Sequence, residues 1–349
     1  MNPGITVVIL SYLRTTYLEE ALDSVLDQEN EDGFEVILIT ASEEYQPSQI
    51  LFEKATKRGI PVRRIQIERV PVGEGLARAI EAARGEVITL LDDDDAWAPG
   101  KIRAVEQAFG RDDELTYFHT GQQFIDAAGR PFRPRNAHRV VRHRGSLLKE
   151  GLCLTVDTGD LRGIRALQRF EPDFNNSSIA IRRALLQRYL NQLRKVAAGE
   201  DSFLFTCALA ESGHVSCCSD RLTKYRIHAS TLTYPSVTLG SNLQRLDALR
   251  NYVSRHLDEA KLAIDVIGPN PRSPVRVFVR RDTAYWMLMD SILSGQTDGA
   301  TTSALVRTLM ASDELALRVR DGATILLSQL TRITPFAGRA LLAAWRMTW

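Results

Sequence analysis

Short apolar runs alternate with segments of helical periodicity over the first 112 residues of the chain. The runs predict four buried strands, at Ile5–Leu10, Phe34–Ile39, Val62–Ile67 and Val87–Leu91. The intervening segments carry apolar residues three and four positions apart, and they predict helices at 17–26, 47–58 and 76–83. Another helix is expected after Pro99, because proline is tolerated in a first helical turn. This alternation is typical of an α/β fold with a mainly parallel sheet and helices on both faces.

The pattern is less regular after residue 112. Extended segments are predicted at 115–126, 177–181, 215–218 and 222–226, with helices at 182–196 and 203–210. From about residue 240, apolar residues recur at helical spacing with a break at 268–271. We therefore predict a sheet domain at 1–238, divided near residue 112, and a helical C-terminal region at 239–349.

Composition restricts the class of protein. Apolar residues make up 44% and charged residues 25% of the 349 residues, as in ordinary globular proteins. The net charge of +1 gives no global field that would favour nucleic acid. No signal peptide and no run of 18 apolar residues is visible. The four cysteines show no metal-binding spacing, so we expect reduced thiols in a cytoplasmic protein, with Cys217 and Cys218 on a buried strand.

Four aspartates, Asp92–Asp95, directly follow the apolar run Val87–Leu91. Two carboxylates about 5 Å apart repel by roughly 3 kcal/mol at an effective dielectric constant near 20. Carboxylate oxygens at this density suit Mg²⁺ or Mn²⁺, and the carboxyl ends of strands are where open α/β sheets bind ligands. The alternative is a solvated acidic loop that caps the helix after Pro99.

Two further segments have unusual charge. Residues 130–149 contain seven Lys or Arg, two His and no acid, which predicts either a solvated loop or a rim that meets an anionic substrate. Residues 335–349 combine apolar residues, including two Trp, with Arg339 and Arg346. A helix there would suit packing on its own domain or a partner, or peripheral contact with the inner face of an anionic membrane.

The motifs together resemble the GT-A-fold glycosyltransferases of inverting family 2, over residues 5 to about 233. The residues that carry the resemblance are Val7–Arg14, Ala77-Arg78, Ala83–Glu86, Leu91–Asp95 with Trp97 and Pro99, Ser177-Ser178, Arg182-Arg183, Gly199–Asp201 and Tyr225–His228. The resemblance implies a GT-A domain with a nucleotide-sugar half at about 1–112 and an acceptor half at about 113–238. It also implies sugar transfer from a nucleotide-diphosphate donor to a hydroxyl of a glycan or lipid-linked acceptor.

The resemblance also implies roles for particular residues. Asp94 contacts a Mn²⁺ or Mg²⁺ ion, Asp201 is the general base of an inverting displacement, and Asp95 and Glu200 hold the donor or acceptor sugar. The remaining residues expected at the donor are Ser11, Tyr12, Arg14, Arg78, Asp92, Asp93 and His228. Asp92 would face the nucleoside, Arg78 the diphosphate, and His228 the metal or the diphosphate.

Alternatives remain for several of these residues. Asp201 could only cap a helix, Arg78 could be a surface charge, and His228 a loop histidine. Thr40–Glu43 departs from the Asp-Asp-Gly-Ser pattern common in relatives, which puts a uracil-containing donor in doubt. For the whole chain, a nucleotidyltransferase would need a Gly-rich loop that 11–16 lacks, and a non-catalytic sugar-binding relative remains open.

Overall fold

A computed structural model describes residues 4–11, 16–29, 33–41, 47–68, 70–131, 148–228, 246–268 and 274–295, with 303, 326–327 and 341–342. The described residues up to His228 belong to one compact unit, and those from Leu246 onward belong to a second. The predicted residues Tyr12 and Arg14, most of the basic segment, and most of 335–349 lie outside the described residues.

The first part of the sheet confirms the predicted parallel pattern. Its strands lie in the order β3-β2-β1-β4, and each pair of neighbours is parallel. Their bounds are β1 Ile5–Ser11, β2 Phe34–Thr40, β3 Val62–Gln66 and β4 Val87–Asp92. Every residue of β1 and β2 is buried, as expected for strands covered on both faces. The carboxyl end of β4 delivers the aspartates to the edge of this sheet.

Four helices accompany these strands: α1 Leu18–Leu26, α2 Gln49–Lys57, α3 Val72–Ala82 and α4 Lys101–Arg111. Helix α3 begins four residues before the predicted start at Leu76. The sequence prediction left Gly73 outside the helix, and glycine is a weak helix former wherever it stands. In the structure Gly73 lies in the helix, where a Cβ atom would stand 1.9 Å from the carbonyl oxygen of Leu193. Close packing against Leu193 therefore favours glycine at this position, although glycine has a low intrinsic helix propensity.

The second part of the sheet is mixed. Its strands are β5 Ala96–Trp97, β6 Leu115–Ile125, β7 Cys153–Asp157, β8 Ile179–Arg182 and β9 His214–Arg226. Strand β8 is antiparallel to both β4 and β6, and β6 is parallel to β9. Strands β5 and β7 each pair antiparallel with β9. The pairing of β9 with β5 brings the end of β9 beside the aspartates.

Strand β9 replaces the two short strands predicted at 215–218 and 222–226. The pairing of β9 with β6 shifts register on both sides of Gly121, where a Cβ atom would stand 2.7 Å from the carbonyl oxygen of Ser219. A bulge of this kind keeps a strand continuous across an irregular sequence. Residues 219–221, which separated the two predicted strands, therefore lie inside one strand.

The remaining helices of this unit are α5 Leu161–Leu167, α6 Arg183–Arg188, α7 Leu190–Leu193 and α8 Glu200–Ala210. The single helix predicted at 182–196 is thus two short helices. A 3₁₀ turn at Asn176–Ser178 precedes β8, where sequence analysis had begun the strand. This turn proves central to the site.

The expectation of four reduced thiols is wrong for two of them. Cys153 and Cys218 form a disulfide, while Cys207 and Cys217 are free and buried. The bonded pair lies directly opposite in the antiparallel ladder of β7 and β9. Strand β7 was not predicted, and 65 residues separate the two cysteines, so no sequence pattern pointed to this pairing. The prediction that Cys217 and Cys218 share a strand is confirmed.

The second unit contains helices α9 Leu246–Ile267 and α10 Pro274–Ser294, in agreement with the predicted helical C-terminal region. They pack through a core that includes Leu249, Val253, Leu288 and Ile292. None of the helices within the described residues is both long enough and apolar enough to cross a membrane.

Candidate active site

The aspartate run, Asp92–Asp95, forms a tight turn between β4 and β5. The backbone N–H of Asp95 donates to the carbonyl oxygen of Asp92 over 3.2 Å, and Ala96 then pairs with Lys224 of β9. Asp93 and Asp95 are buried, whereas Asp92 and Asp94 retain partial exposure. The turn therefore offers two carboxylates to a ligand and holds two within the protein.

Asp95 is anchored by three hydrogen bonds. Its Oδ2 atom accepts from Asn175 Nδ2 at 2.8 Å and from Ser177 Oγ at 2.7 Å, while its Oδ1 atom accepts from the backbone N–H of Arg226 at 2.9 Å. Burial and the charge of Asp94 nevertheless raise the pKa of Asp95 to about 7. The three hydrogen bonds thus fix the position of the Asp95 carboxyl group, whereas a pKa of about 7 leaves it only partly ionised at neutral pH.

Arg226 is fully buried beneath the aspartate run. Its Nε donates to the carbonyl oxygen of Asp94 at 2.8 Å, and its Nη2 lies 2.6 Å from Glu20 Oε2. The guanidinium also lies 4.4 Å from the ring centre of Tyr17. The resemblance included Arg226 in a motif but gave it no role. Its contacts show that it fixes the backbone of the acidic turn and supplies a positive charge there.

His228 contacts Asp94, one of the two partly exposed aspartates of the run. Its Nε2 atom is 3.0 Å from Asp94 Oδ2, and its ring packs 5.5 Å from Tyr17. The structure thus brings together Asp94 and His228, two of the three residues that sequence analysis had placed at the metal or the diphosphate. His228 lies 134 positions after Asp94, and the pairing of β9 with β5 brings them together.

A divalent cation fits the donor set of Asp94 and His228. In this structure the two atoms are hydrogen-bonded to each other at 3.0 Å. The same separation is close to the roughly 3 Å between adjacent ligands of an octahedral ion with bonds of about 2.1 Å. Within the described residues, the one converging group of three or more His, Cys, Asp or Glu is Cys153, Cys218 and Asp220, and its cysteines are oxidised. A site with two protein ligands leaves the remaining positions for phosphate oxygens and water.

Glu200 and Asp201, here called the helix acids, begin α8. Gly199 is the N-cap residue, with φ of 76°, and Asp201 is the second residue of the helix. Asp201 Oδ1 accepts from the N–H of Ser202 at 2.9 Å, and Oδ2 accepts from the N–H of Asn175 at 3.0 Å. Asp201 therefore does not occupy the N-cap position, which was the alternative role considered from the sequence.

The acids of the site have raised pKa values. Burial, followed by repulsion from Asp95 and Asp94, raises the pKa of Asp92 well above its usual range. Burial and the neighbouring charge of Glu200 raise the pKa of Asp201 to about 7. Burial also raises the pKa of Glu200. Groups with pKa values near neutrality are typical of proton-transfer sites.

Lys101 supports the site from behind and was missed by sequence reasoning. It is fully buried, and its Nζ donates to Thr120 Oγ1 at 2.7 Å and to the carbonyl oxygen of Ser178 at 2.9 Å. Burial lowers its pKa to about 7. Trp97 Nε1 donates to the carbonyl oxygen of Ser177 at 2.8 Å. A lysine in the first turn of a helix carries no sequence signal that separates it from a surface charge.

Two other predicted residues lie in ordinary structural surroundings. Ser11 is buried at the end of β1, where its carbonyl oxygen accepts from the N–H of Ala41. Arg78 is ion-paired with Glu74 at 2.8 Å on its own helix, and Arg194 bonds the same carboxylate at 2.7 Å. Within the described residues, these contacts neither support nor contradict their expected roles at the donor.

Comparisons with known proteins agree with the resemblance found in the sequence. The family model for Glycosyl transferase family 2 matches residues 6–188, which is more than half of the chain. An uncharacterised glycosyltransferase of Nostoc sp. (strain PCC 7120) is 26% identical over 115 residues, which are 33% of this chain and 35% of that protein. The alignment thus spans about a third of that relative's length.

Solved structures share the fold. S. aureus TarS matches with a TM-score of 0.53 and 13% identity, over 95% of this chain and 54% of that one. TarS 1-349 in complex with UDP-GlcNAc matches with 0.57 and 14%, over 98% and 90%. The mannosyltransferase PcManGT from Pyrobaculum calidifontis, in complex with GDP-Man and Mn²⁺, matches with 0.52 and 17%, over 99% and 86%. At these identities the likeness concerns the fold, and it confirms the predicted GT-A class.

Proposed function

Because the chain belongs to glycosyl transferase family 2, we propose that it transfers a sugar from a nucleotide-diphosphate donor to an acceptor hydroxyl. The observation that carries this proposal is the convergence of two acid groups on the 3₁₀ turn Asn176–Ser178 and its N-cap residue Asn175. Asn175 bonds both Asp95 of the aspartate run and Asp201 of the helix acids. In this reaction the diphosphate leaves from one side of the anomeric carbon and the acceptor hydroxyl loses its proton on the other side. A site for the reaction therefore needs a group for each event, with the two groups close together.

The leaving diphosphate is the part of the reaction that the aspartate run serves. We propose that Asp94 and His228 hold Mn²⁺ or Mg²⁺. When bound, such an ion stabilises the negative charge that develops on the diphosphate oxygens. Asp92 would face the nucleoside and Arg78 the diphosphate. The other residues expected to contact the donor are Ser11, Tyr12, Arg14 and Asp93. The complex of the similar mannosyltransferase from Pyrobaculum calidifontis with GDP-Man and Mn²⁺ supports the use of a divalent cation and a nucleotide-sugar donor.

The attacking hydroxyl is the part that the helix acids serve. In the proposed inverting displacement, the acceptor oxygen forms a bond to the anomeric carbon while the bond from that carbon to the phosphate oxygen breaks. The hydroxyl proton passes to a carboxylate oxygen of Asp201, and the nucleotide diphosphate leaves with the electron pair. A pKa of about 7 leaves a large fraction of Asp201 ionised at neutral pH. Asp95 and Glu200 would orient the sugars.

Turnover of a panel of nucleotide sugars tests this proposal. The panel includes UDP-GlcNAc and GDP-mannose, since the similar structures contain these donors. Release of free nucleotide diphosphate is measured with Mn²⁺, with Mg²⁺ and with excess chelator. We expect metal-dependent release from at least one donor, stimulated by a hydroxyl acceptor. Nucleotide-sugar binding without turnover under all conditions would instead indicate a non-catalytic sugar-binding protein.

The C-terminal segment 335–349 is the subject of a separate test. We propose that the segment 335–349 either packs on its own domain or a partner or contacts anionic membrane, because its sequence combines apolar residues and two tryptophans with two arginines and no acid. Sedimentation with anionic vesicles is compared for the full chain and for a chain that ends at residue 334. If the segment contacts membrane, binding should increase with anionic lipid, weaken with salt and disappear on truncation. Equal, negligible sedimentation of both chains would overturn membrane contact.

A further inference from the structure

Asn175 is hydrogen-bonded both to the aspartate run and to the helix acids. Its side-chain Nδ2 donates to Asp95 Oδ2 at 2.8 Å, and its backbone N–H donates to Asp201 Oδ2 at 3.0 Å. Asp95 and Asp201 are 106 positions apart in the chain. The position of Asp201 is therefore tied to Asp95 through one asparagine.

The backbone of Asn175 adopts an unusual conformation. Its φ is 70° and its ψ is 111°, a combination that residues with a side chain rarely take. Such a conformation persists when surrounding contacts hold it, and it is found preferentially at functional sites. The bond to Asp95 is the contact that holds the side chain of this residue. The same conformation aims the N–H of Asn175 at Asp201.

Asn176 makes a parallel connection between the remaining acids. Its Nδ2 donates to Glu200 Oε1 at 2.7 Å and approaches Asp92 Oδ1 at 3.4 Å. Two successive asparagines thus each span one residue of the aspartate run and one of the helix acids. This repetition separates the arrangement from an isolated loop hydrogen bond.

The orientation of both amides is dictated by the acids. A primary amide offers two N–H donors and one oxygen acceptor, and only the donors can bond a carboxylate. The Oδ1 atoms of Asn175 and Asn176 are buried and accept no hydrogen bond within the described part of the chain. An unpaired buried acceptor is unfavourable, so the bonds to carboxylates determine how these amides lie.

The rear of the turn is fixed independently. The carbonyl oxygen of Ser177 accepts from Trp97 Nε1 at 2.8 Å and from Thr223 Oγ1 at 3.0 Å. The carbonyl oxygen of Ser178 accepts from the Nζ of Lys101 at 2.9 Å. On the other side of the turn, Ser177 Oγ also bonds the aspartate run, donating to Asp95 Oδ2 at 2.7 Å and accepting from the N–H of Asp92 at 3.0 Å. Asn175 and Asn176 differ from Ser177 because they bond the helix acids as well as the run.

We propose that Asn175 is a positioning residue that couples Asp95 to Asp201, so that the side-chain bond on one side of the site keeps Asp201 aligned on the other. Asn176 reinforces this coupling between Asp92 and Glu200. The inference rests on the proposed function for its kinetic consequence, but the coupling itself is a property of the folded chain and can be measured without turnover.

The ionisation of Asp201 reports the coupling. The N–H of Asn175 stabilises the ionised carboxylate, whereas burial, Glu200 and Asp173 oppose ionisation. The buried hydroxyl of Tyr117 also lies within electrostatic range of Asp201. A misaligned Asn175 would remove a stabilising contact and leave the opposing groups in place. Asp201 would then ionise at higher pH.

The first experiment follows thermal unfolding of the full chain from pH 4 to pH 9, without donor. The difference in unfolding midpoint between each protein and its Asp201→Asn counterpart traces the ionisation of Asp201. We expect this curve to move to higher pH by about one unit in Asn175→Ala and Asn175→Gly, the size expected for one hydrogen bond to a charged group. Ser178→Ala, which alters a hydroxyl of the same turn that bonds Thr223, should leave the curve in place.

The two variants separate the side chain from the backbone. Glycine takes positive φ without strain but lacks the amide, whereas alanine lacks the amide and is strained. If Asn175→Gly matched the wild-type curve while Asn175→Ala shifted, backbone conformation alone would suffice and the coupling to Asp95 would be overturned. An unshifted curve in both variants would overturn it as well. Should the alanine variant fail to fold, the glycine variant decides.

The second experiment is kinetic. We expect the turnover number of Asn175→Gly to fall at least tenfold with little change in donor KM, and the acidic limb of its pH–rate profile to move upward with the unfolding curve. A parallel rise in donor KM with an unmoved limb would indicate a merely structural role. Absence of turnover in the wild-type chain would refute the proposed function, while the unfolding measurement would still decide the coupling.

Discussion

The aspartate run and the helix acids contain the same kind of group in different surroundings. Arg226 bonds the backbone of the run, and His228 contacts Asp94 at 3.0 Å. Asp201 instead accepts from two backbone N–H groups. Both groups are buried enough to raise carboxyl pKa values, but the run has a donor set suited to a cation.

This difference indicates a division of labour. A carboxylate that binds a metal must be held in place, which the anchored turn and the contact with His228 favour. A carboxylate that accepts a proton must change its charge near neutral pH, which a pKa of about 7 at Asp201 permits. The predictions below test whether the two groups can be separated in this way.

The largest effect is expected at the metal. Asp94→Ala should lower turnover at least about 10³-fold, because it removes the charge that would hold a cation at the leaving diphosphate. Excess chelator should abolish turnover in the wild-type chain, and Mn²⁺ or Mg²⁺ should restore it. Release of nucleotide diphosphate is the measurement, and exposed Glu53→Ala is the matched control. Full activity in excess chelator would contradict the role assigned to the run.

Replacing the proposed base should have the next largest effect. Asp201→Asn keeps the shape of the side chain but cannot accept a proton, so turnover should fall about 10²- to 10⁴-fold. Donor binding should survive, because the aspartate run is unchanged. Calorimetric titration with donor and metal checks binding, and exposed Asp113→Asn is the control. Wild-type turnover in Asp201→Asn would show that the helix acids serve only structure.

The pH dependence of turnover should distinguish the two groups further. With a pKa of about 7 in the folded chain, Asp201 loses its ionised form as pH falls. The rate should therefore decrease about tenfold per pH unit well below pH 7. The limb should be absent from the residual activity of Asp201→Asn. A limb that persists there would assign the titration to another group.

The sequence predicted the front of the site better than its support. The strand Val87–Leu91 and the four aspartates after it form a local pattern, so the fold and the acidic turn could be inferred from nearby residues. Asn175, Arg226 and Lys101 could not be assigned roles in this way. Their contacts depend on the pairing of β9 with β5 and on a 3₁₀ turn, and both arise from packing between distant segments.

The same limit applies to Gly73 and the disulfide. Helix propensity gave no reason to place Gly73 inside α3, and the close approach of the Leu193 carbonyl, which leaves no room for a Cβ atom there, is not visible in the local sequence. Cys153 could not be matched to Cys218 without β7, a short strand that the sequence did not predict and in which one residue of five is buried. In both cases the structure depends on a contact between residues that are far apart in the chain, which the local sequence does not reveal.

The smallest effect is expected at Lys101, behind the turn, and its sign is opposite to that of Asp201. Burial lowers the pKa of Lys101 from 10.5 to about 7 in the folded chain, so the unfolded chain binds more protons between these values. Stability contributed by this group therefore rises as pH increases from about 7 to about 10.5. The raised pKa of Asp201 acts in the other direction, because its contribution is lost as pH rises from about 4 to about 7.

Lys101→Met tests this contrast, since methionine keeps much of the length and volume of lysine without its charge. The unfolding midpoint of the wild-type chain, relative to Lys101→Met, should increase from pH 7 to pH 10. Arg103→Met, an exposed residue of the same helix, should show no such trend. A flat difference for Lys101→Met would mean that this lysine ionises alike in the folded and unfolded chain. The turn that carries Asn175 would then rest on a charged ammonium, and the acids alone would account for any dependence of stability on pH.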